Sequence, residues 1–131
     1  MLRKAIEFGR YQWFPAHGYS YIHPSNRRDF EAIAPHDKVF EKIEENERWM
    51  VLQYGPKQYK VEPDLYSRVP ALPFSFGDMV EEVNRTPGQL RLRGEIFQVY
   101  WHPAEDQPYF QIRQGKQELE RRFKADELRK M

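Results

Sequence analysis

The 131-residue chain contains no cysteine. Disulfide staples and thiolate metal sites are therefore excluded, and the composition suits a reducing compartment. It also lacks a charge excess, with 21 Lys and Arg against 20 Asp and Glu. The balance holds locally, at 11 basic to 10 acidic residues before Pro73 and 10 to 10 after it. A protein that binds nucleic acid by neutralising many phosphates carries a basic surplus, so the composition disfavours that class. No apolar run is long enough to span a bilayer, and the basic opening "MLRKAIEFGRYQW" has no apolar stretch of signal-peptide length. A soluble, cytoplasmic protein is expected, with no membrane partner. Glycine-rich phosphate loops, G-x-S-x-G elbows and dinucleotide fingerprints are missing from the sequence as well.

What the chain has in quantity is aromatic side chains, 15% of all residues. Each buries a large area, so a real core is within reach despite a mean hydropathy of −0.90. The length suits one domain or two very small ones sharing a core. The proline-rich stretch around "VPALPF" is the best boundary, a docked connector dividing the chain into 1–70 and 74–131.

Periodicity gives a mainly β protein, α+β only by minor helix content. Leu2, Ile6 and Phe8 share one side of an amphipathic opening. "GYSYIHP" alternates as a short strand, with Tyr19, Tyr21 and His23 on one face and Ile22 on the other. "SNRRDFEAIAP" predicts one short helix, capped by Ser25 or Asn26 and ended by Pro35, with Phe30, Ile33 and Ala34 inward. Residues 38–62 predict a three-strand meander, with turns at "ENE" and at Gly55–Pro56 and with Val39 and Ile43 on one face. Later strands are "GDMVEEV", "LRLRGEIFQVYW" through a bulge at Gly94, "YFQIR" and "ELERRF". Leu90, Leu92 and Ile96 are the apolar positions of the second of these, and Gln89, Arg91 and Arg93 share a face. The tail reads as strand then helical turn, although Leu119, Phe123 and Leu128 also fit one face of a terminal helix.

The residues "FGDMVEEV", "RGEIFQVYWHPAEDQPYFQIRQGK" and "RRFKADEL" resemble an SH3-like small β-barrel. The resemblance implies such a barrel packed against a β-rich first half, and it is silent on function because one barrel hosts many roles. "FPAHGYSYIHPSNRRDFEAI" and "RWMVLQYG" resemble a small family of bacterial proteins without assigned function. An internal echo, "YKVEPDL" against "RFKADEL", raises the possibility of two related halves.

Three function classes remain. A non-enzymatic module binding a protein partner would use exposed aromatics near loops: Tyr100, Trp101, His102, Tyr109 and Phe110, joined by Trp13, His17 and Tyr19. Single-stranded nucleic acid is the second partner class, through Arg91, Arg93, Arg113, Arg121 and Arg122 with Tyr100 and Tyr109 as stacking surfaces. Against it, Glu81, Glu82, Glu95, Glu118 and Glu120 are interleaved, which favours cross-strand ion pairs. The third is a metal or acid–base enzyme, built on His17, His23 and His36 (with Asp37) or on His102 with Glu105 or Asp106. The alternative for these histidines is that they bond backbone groups and seal a sheet edge. The balance favours the protein-binding module, with no cofactor, no metal and no catalytic residue; Arg27 is expected to pair with Glu31 rather than serve a site.

Overall fold

A computed structural model describes residues 6–83, 88 and 91–131. Leu2, Gln89 and Leu90, named above, lie outside the described residues. Among the described residues ten strands form two five-stranded antiparallel sheets, and one short α-helix accompanies them. The protein is mainly β. The chain divides into two units, Met1–Ala71 and Leu72–Met131. Among the described residues no helix is long and apolar enough to cross a membrane.

In the first unit the strands are β1 (Glu7–Tyr11), β2 (Phe40–Glu45), β3 (Met50–Tyr54), β4 (Lys57–Val61) and β5 (Tyr66–Val69), with helix α1 (Arg27–Ala32) inserted between β1 and β2. The sheet runs β4-β3-β2-β1-β5. The meander over 38–62 is present as expected. Asn46 turns β2 into β3 by accepting the N–H groups of Arg48 and Trp49. Gly55, at φ 60°, opens the two-residue turn of the next hairpin, where Pro56 tolerates only negative φ.

Phe30 of α1 plugs this unit. It is fully buried, with its ring centroid within 5.1–6.5 Å of those of Tyr11, Trp13, Phe40 and Tyr59. A helix of six residues gains little from its own hydrogen bonds, so this burial is what holds it. The sequence expectation for the helix needs three corrections. Asn26 sits at the N-cap, but its Oδ1 accepts the N–H of Lys60 across the unit instead of capping the helix. Ile33 and Ala34 are half-buried, not core. Arg27 does not pair with Glu31: its Nε donates to the carbonyls of Tyr19 and Ile22, and Glu31 accepts the Tyr19 hydroxyl.

The expected strand over 19–23 is absent. Tyr19–Tyr21 and Pro24–Asn26 are 3₁₀ turns, and only Ile22 bridges Val61 of β4. Gly18 at φ 89° breaks the extended run, and the Arg27 clamp on two carbonyls holds it curled. Ile6, which precedes β1, is exposed, while Phe8 within the strand is buried. Ile43 is exposed and falls at the β2–β3 register shift between Lys42 and Glu44, while Val39, with which it was expected to share a face, is buried.

In the second unit β6 (Met79–Glu82), β7 (Arg93–His102), β8 (Gln107–Gln114), β9 (Gln117–Lys124) and β10 (Leu128–Lys130) run β10-β6-β7-β8-β9. Its core holds Phe74, Val80, Ile96, Val99, Phe110, Ile112, Phe123 and Leu128. The tail is strand, 3₁₀ turn, strand, and the terminal-helix alternative is excluded. The bulge is not at Gly94 but between Ile96 and Gln98, where the β7–β8 register shifts. Gly94 serves a different need. A Cβ there would lie 2.5 Å from the carbonyl oxygen of Arg113, so glycine lets β8 approach.

The two sheets share one pattern: the first four strands form a meander in order, and the fifth pairs back onto the first. In both, a 3₁₀ turn precedes the fifth strand, Pro63–Leu65 in one and Ala125–Glu127 in the other. These turns are the two copies of the "EPDL" and "ADEL" echo.

Candidate functional site

The bulge in β7 sets the faces of the second sheet. Ile96, Val99 and Trp101 turn inward and Gln98, Tyr100 and His102 lie on the other side. Trp101 and Phe110 are therefore part of the core, with Phe110 edge-on to Phe74 at 5.3 Å. Their part is to support the surface residues from behind. Tyr100, His102 and Tyr109 are half-buried, as surface-facing side chains of a sheet are.

Tyr100 and Tyr109 are directly opposed across β7 and β8. His102 meets the Tyr109 ring edge-on at 5.0 Å. The Tyr109 hydroxyl donates to Glu105 Oε2 at 2.5 Å, and Gln107 Nε2 donates to the same oxygen at 2.7 Å. Lys124 Nζ lies 3.6 Å from it. The bond from Tyr109, with lesser help from Lys124, holds the Glu105 carboxyl below its ordinary range, and the same bond pushes the Tyr109 phenol up to about 12. His102 Nδ1 accepts the N–H of Glu105, which closes the hairpin loop. His102 and Glu105 are thus engaged in building the loop.

Tyr100 has a different neighbour. Its hydroxyl donates to Gln111 Oε1 at 2.6 Å, and the guanidinium carbon of Arg122 lies 3.7 Å from the centre of its ring.

The remaining arginines of the proposed basic stripe are neutralised. Arg91 and Arg93 approach Glu81 at 3.8 and 3.5 Å, and Arg113 meets Glu95 at 2.9 Å. Arg121 is shared by Glu82 and Glu127 at 2.9 and 3.0 Å. Of the interleaved acids, Glu81, Glu82 and Glu95 form the ion pairs that their spacing suggested, whereas Glu118 and Glu120 form none among the described residues.

In the first unit, Trp13 is buried and donates from Nε1 to the Gly18 carbonyl. Tyr19 is exposed and tied to Glu31, which raises its phenol above the ordinary value. His17 Nδ1 accepts the N–H of Phe14, and His23 Nδ1 accepts that of Ser25. The rings of His17 and His36 both stack on exposed Phe14, at 6.1 and 4.7 Å, whereas His23 meets Trp49 instead. Three imidazoles do not converge, and among the described residues no group of three His, Asp or Glu side chains is placed to hold a metal ion. Sequence reasoning missed Phe14 as a surface group and named Arg122 only as one of five arginines in a basic stripe; "PAH" after Phe14 gave the local hint, a 3₁₀ turn beside the exposed ring.

A family model covers residues 1–129. The chain belongs to the family of unknown function DUF6960. No curated protein and no solved structure matches it. Membership in DUF6960 carries no activity to this chain, so function rests on the residues themselves.

Proposed function

We propose that this member of DUF6960 is a non-enzymatic binding module of a bacterial cytoplasm, that its second unit is an SH3-like small barrel, and that the outer face of β7, β8 and β9 recognises another protein. The barrel reading draws support from the strand order β10-β6-β7-β8-β9, with a 3₁₀ turn before the closing strand. The observation that carries the functional reading is the Tyr100–Tyr109 pair, held by side-chain hydrogen bonds on a sheet face whose reverse is core. Rings fixed in this way lose little conformational freedom on binding and offer both apolar area and a polar tip. The histidines support the non-enzymatic reading by their occupation: His17, His23 and His102 each accept a backbone N–H that shapes their own loop.

Tyr100→Ala and Tyr109→Ala chains, checked for native circular dichroism, test this reading by cross-linked capture from the source cell. Loss of a protein that the parent chain captures supports it, and unchanged capture by both variants refutes it. His17→Ala and Tyr19→Ala chains form a second arm, testing the aromatic patch of the first unit. The nucleic-acid reading is disfavoured by the ion pairs on Arg91, Arg93, Arg113 and Arg121.

A further inference from the structure

The arginines of the second sheet fall into two kinds. Arg91, Arg93, Arg113, Arg121 and Arg129 each lie within 4 Å of a carboxylate. Arg122 is different. Among the described residues it has no carboxylate partner, and its guanidinium rests against the Tyr100 ring at 3.7 Å. At that distance the cation is in contact with the face of the ring, a cation–π arrangement. A guanidinium so placed keeps N–H groups available to an acceptor.

The support beneath this stack is tied down at every step. Gln111 stands opposite Arg122 in the β8–β9 register. Its Nε2 donates to the Leu119 carbonyl at 2.9 Å and to that of Glu120 at 3.3 Å, and its Oε1 accepts the Tyr100 hydroxyl. Backbone of β9, amide, phenol and guanidinium therefore form one chain of contacts. Next to it, Tyr109 and Lys124 stand opposite each other. Glu105 is committed to Tyr109, Gln107 and Lys124, and Glu120, two residues before Arg122, lies outside ion-pair distance of it.

We infer that this face receives an acidic segment of a partner protein, with the Arg122 guanidinium, stacked on Tyr100, as the receptor for one of its carboxylates. This rests on the protein-binding reading above and names the chemistry of the partner. A carboxylate matches the planar N–H fork of arginine bidentately, and the pre-set stack reduces the ordering cost of making those bonds. Charge complementarity selects the occupant. One guanidinium left unneutralised among amides and phenols suits a single side-chain carboxylate. A polynucleotide needs several phosphates neutralised, and the other arginines of the sheet are already paired.

The test uses the full ¹⁵N-labelled chain at low salt. The probes are an acetylated, amidated decapeptide of alternating Glu and Ser, its Lys-for-Glu counterpart and a ten-residue oligothymidylate. The Glu peptide is expected to shift the Arg122 Nε–H and Gln111 side-chain resonances saturably. Arg122→Gln should weaken it about tenfold or more, the scale of one lost charge-assisted contact. Arg122→Lys, which keeps the charge but not the fork, should weaken it as well, and Arg121→Gln should leave it unchanged. The inference is overturned if the Lys peptide binds equally well, if Arg122→Gln binds the Glu peptide as the parent does, or if oligothymidylate binds more tightly than the Glu peptide. If Tyr100→Ala loses the cellular partner while Arg122→Gln keeps it, carboxylate recognition fails and the interaction surface stands. If both variants keep it, both readings fail.

Discussion

Replacing Gly94 by alanine tests the close approach of β8 to β7. The added Cβ would sit 2.5 Å from the Arg113 carbonyl oxygen and 3.1 Å from its carbon, against 3.4 Å or more for ordinary contact. Relief by about 0.9 Å has to come from backbone, because the obstructing atoms are backbone. Ladder bonds near 2.9 Å would stretch to about 3.8 Å and cease to be hydrogen bonds. Losing about two of them, around the Glu95–Arg113 and Ile96–Ile112 pairs, costs about 1–3 kcal/mol, and overpacking strain adds about 1–3 kcal/mol. The sum is about 2–6 kcal/mol. For a small domain that is a fall in Tm of roughly 10 °C at the least. Gly115→Ala is the control: it has open space around it and a φ of 60°, so only left-handed backbone strain of about 1–2 kcal/mol applies. Thermal unfolding followed by near-ultraviolet circular dichroism reads both variants. A Gly94→Ala chain melting within about 3 °C of the parent, well under the shift worked from roughly 2 kcal/mol, would refute the close approach.

Three further outcomes follow from the same geometry. Phe110→Ala should cost about 3–5 kcal/mol in urea unfolding, the usual loss for a fully buried ring, whereas Tyr109→Phe, which keeps its ring, should change the urea midpoint far less at neutral pH. Ala34 stands just past α1 at φ 51°, so Ala34→Gly should raise stability by roughly 0.5–1 kcal/mol in the same assay, and a fall would refute the strain at that position. The Tyr109–Glu105 bond acts on both limbs of the pH profile. Glu105 is lowered in the folded state, so its contribution is full above the ordinary carboxylate range and is lost as pH falls through the folded value. Tyr109 is raised, so its contribution is full below 10 and disappears as pH climbs through about 12. Tyr109→Phe should flatten both limbs of a urea-midpoint profile, and a profile parallel to the parent's would refute the coupling.

How much of this was legible in the sequence depends on whether a feature is local. The hairpin at Gly55–Pro56 and the strand and turn of the tail are encoded by neighbouring residues and were readable, whereas the closing strand Leu128–Lys130, defined by its pairing with β6, was not. The segment 19–23 alternates like a strand, yet its conformation is set by Arg27 reaching back to two carbonyls, a contact that periodicity does not register. The candidate surface was half legible for a related reason. Aromatics at 100, 101, 109 and 110 mark the β7–β8 region, but parity decides which of them face out. One bulge after Ile96 reverses that parity: uninterrupted alternation from Ile96 would bury Tyr100, whereas the extra residue buries Trp101. Arg122 was one of five similar arginines in the sequence. Only the positions of the glutamates, set by strand register, leave it as the one with no carboxylate among the described residues.

The shared strand order gives both units the same liability, a fourth strand whose outer edge has no sheet partner among the described residues. They answer it differently. In the first unit the insertion between β1 and β2 lies along β4: Ile22 bridges Val61, the His23 N–H donates to the Lys60 carbonyl, the Glu62 N–H donates to the Tyr21 carbonyl, and Asn26 accepts the Lys60 N–H. The density of rings and prolines in "WFPAHGYSYIHP" serves that purpose, since Trp13 and Ile22 are core and His23 caps the turn that follows. In the second unit β9 carries Glu118, Glu120, Arg121 and Arg122 along its length, and charge is the defence. An edge guarded by charge leaves the adjoining sheet face uncovered, whereas an edge guarded by an inserted segment spends its aromatics on sealing. The same topology thus yields one unit whose rings are turned to structure and one whose Tyr100, Tyr109 and Arg122 are held outward.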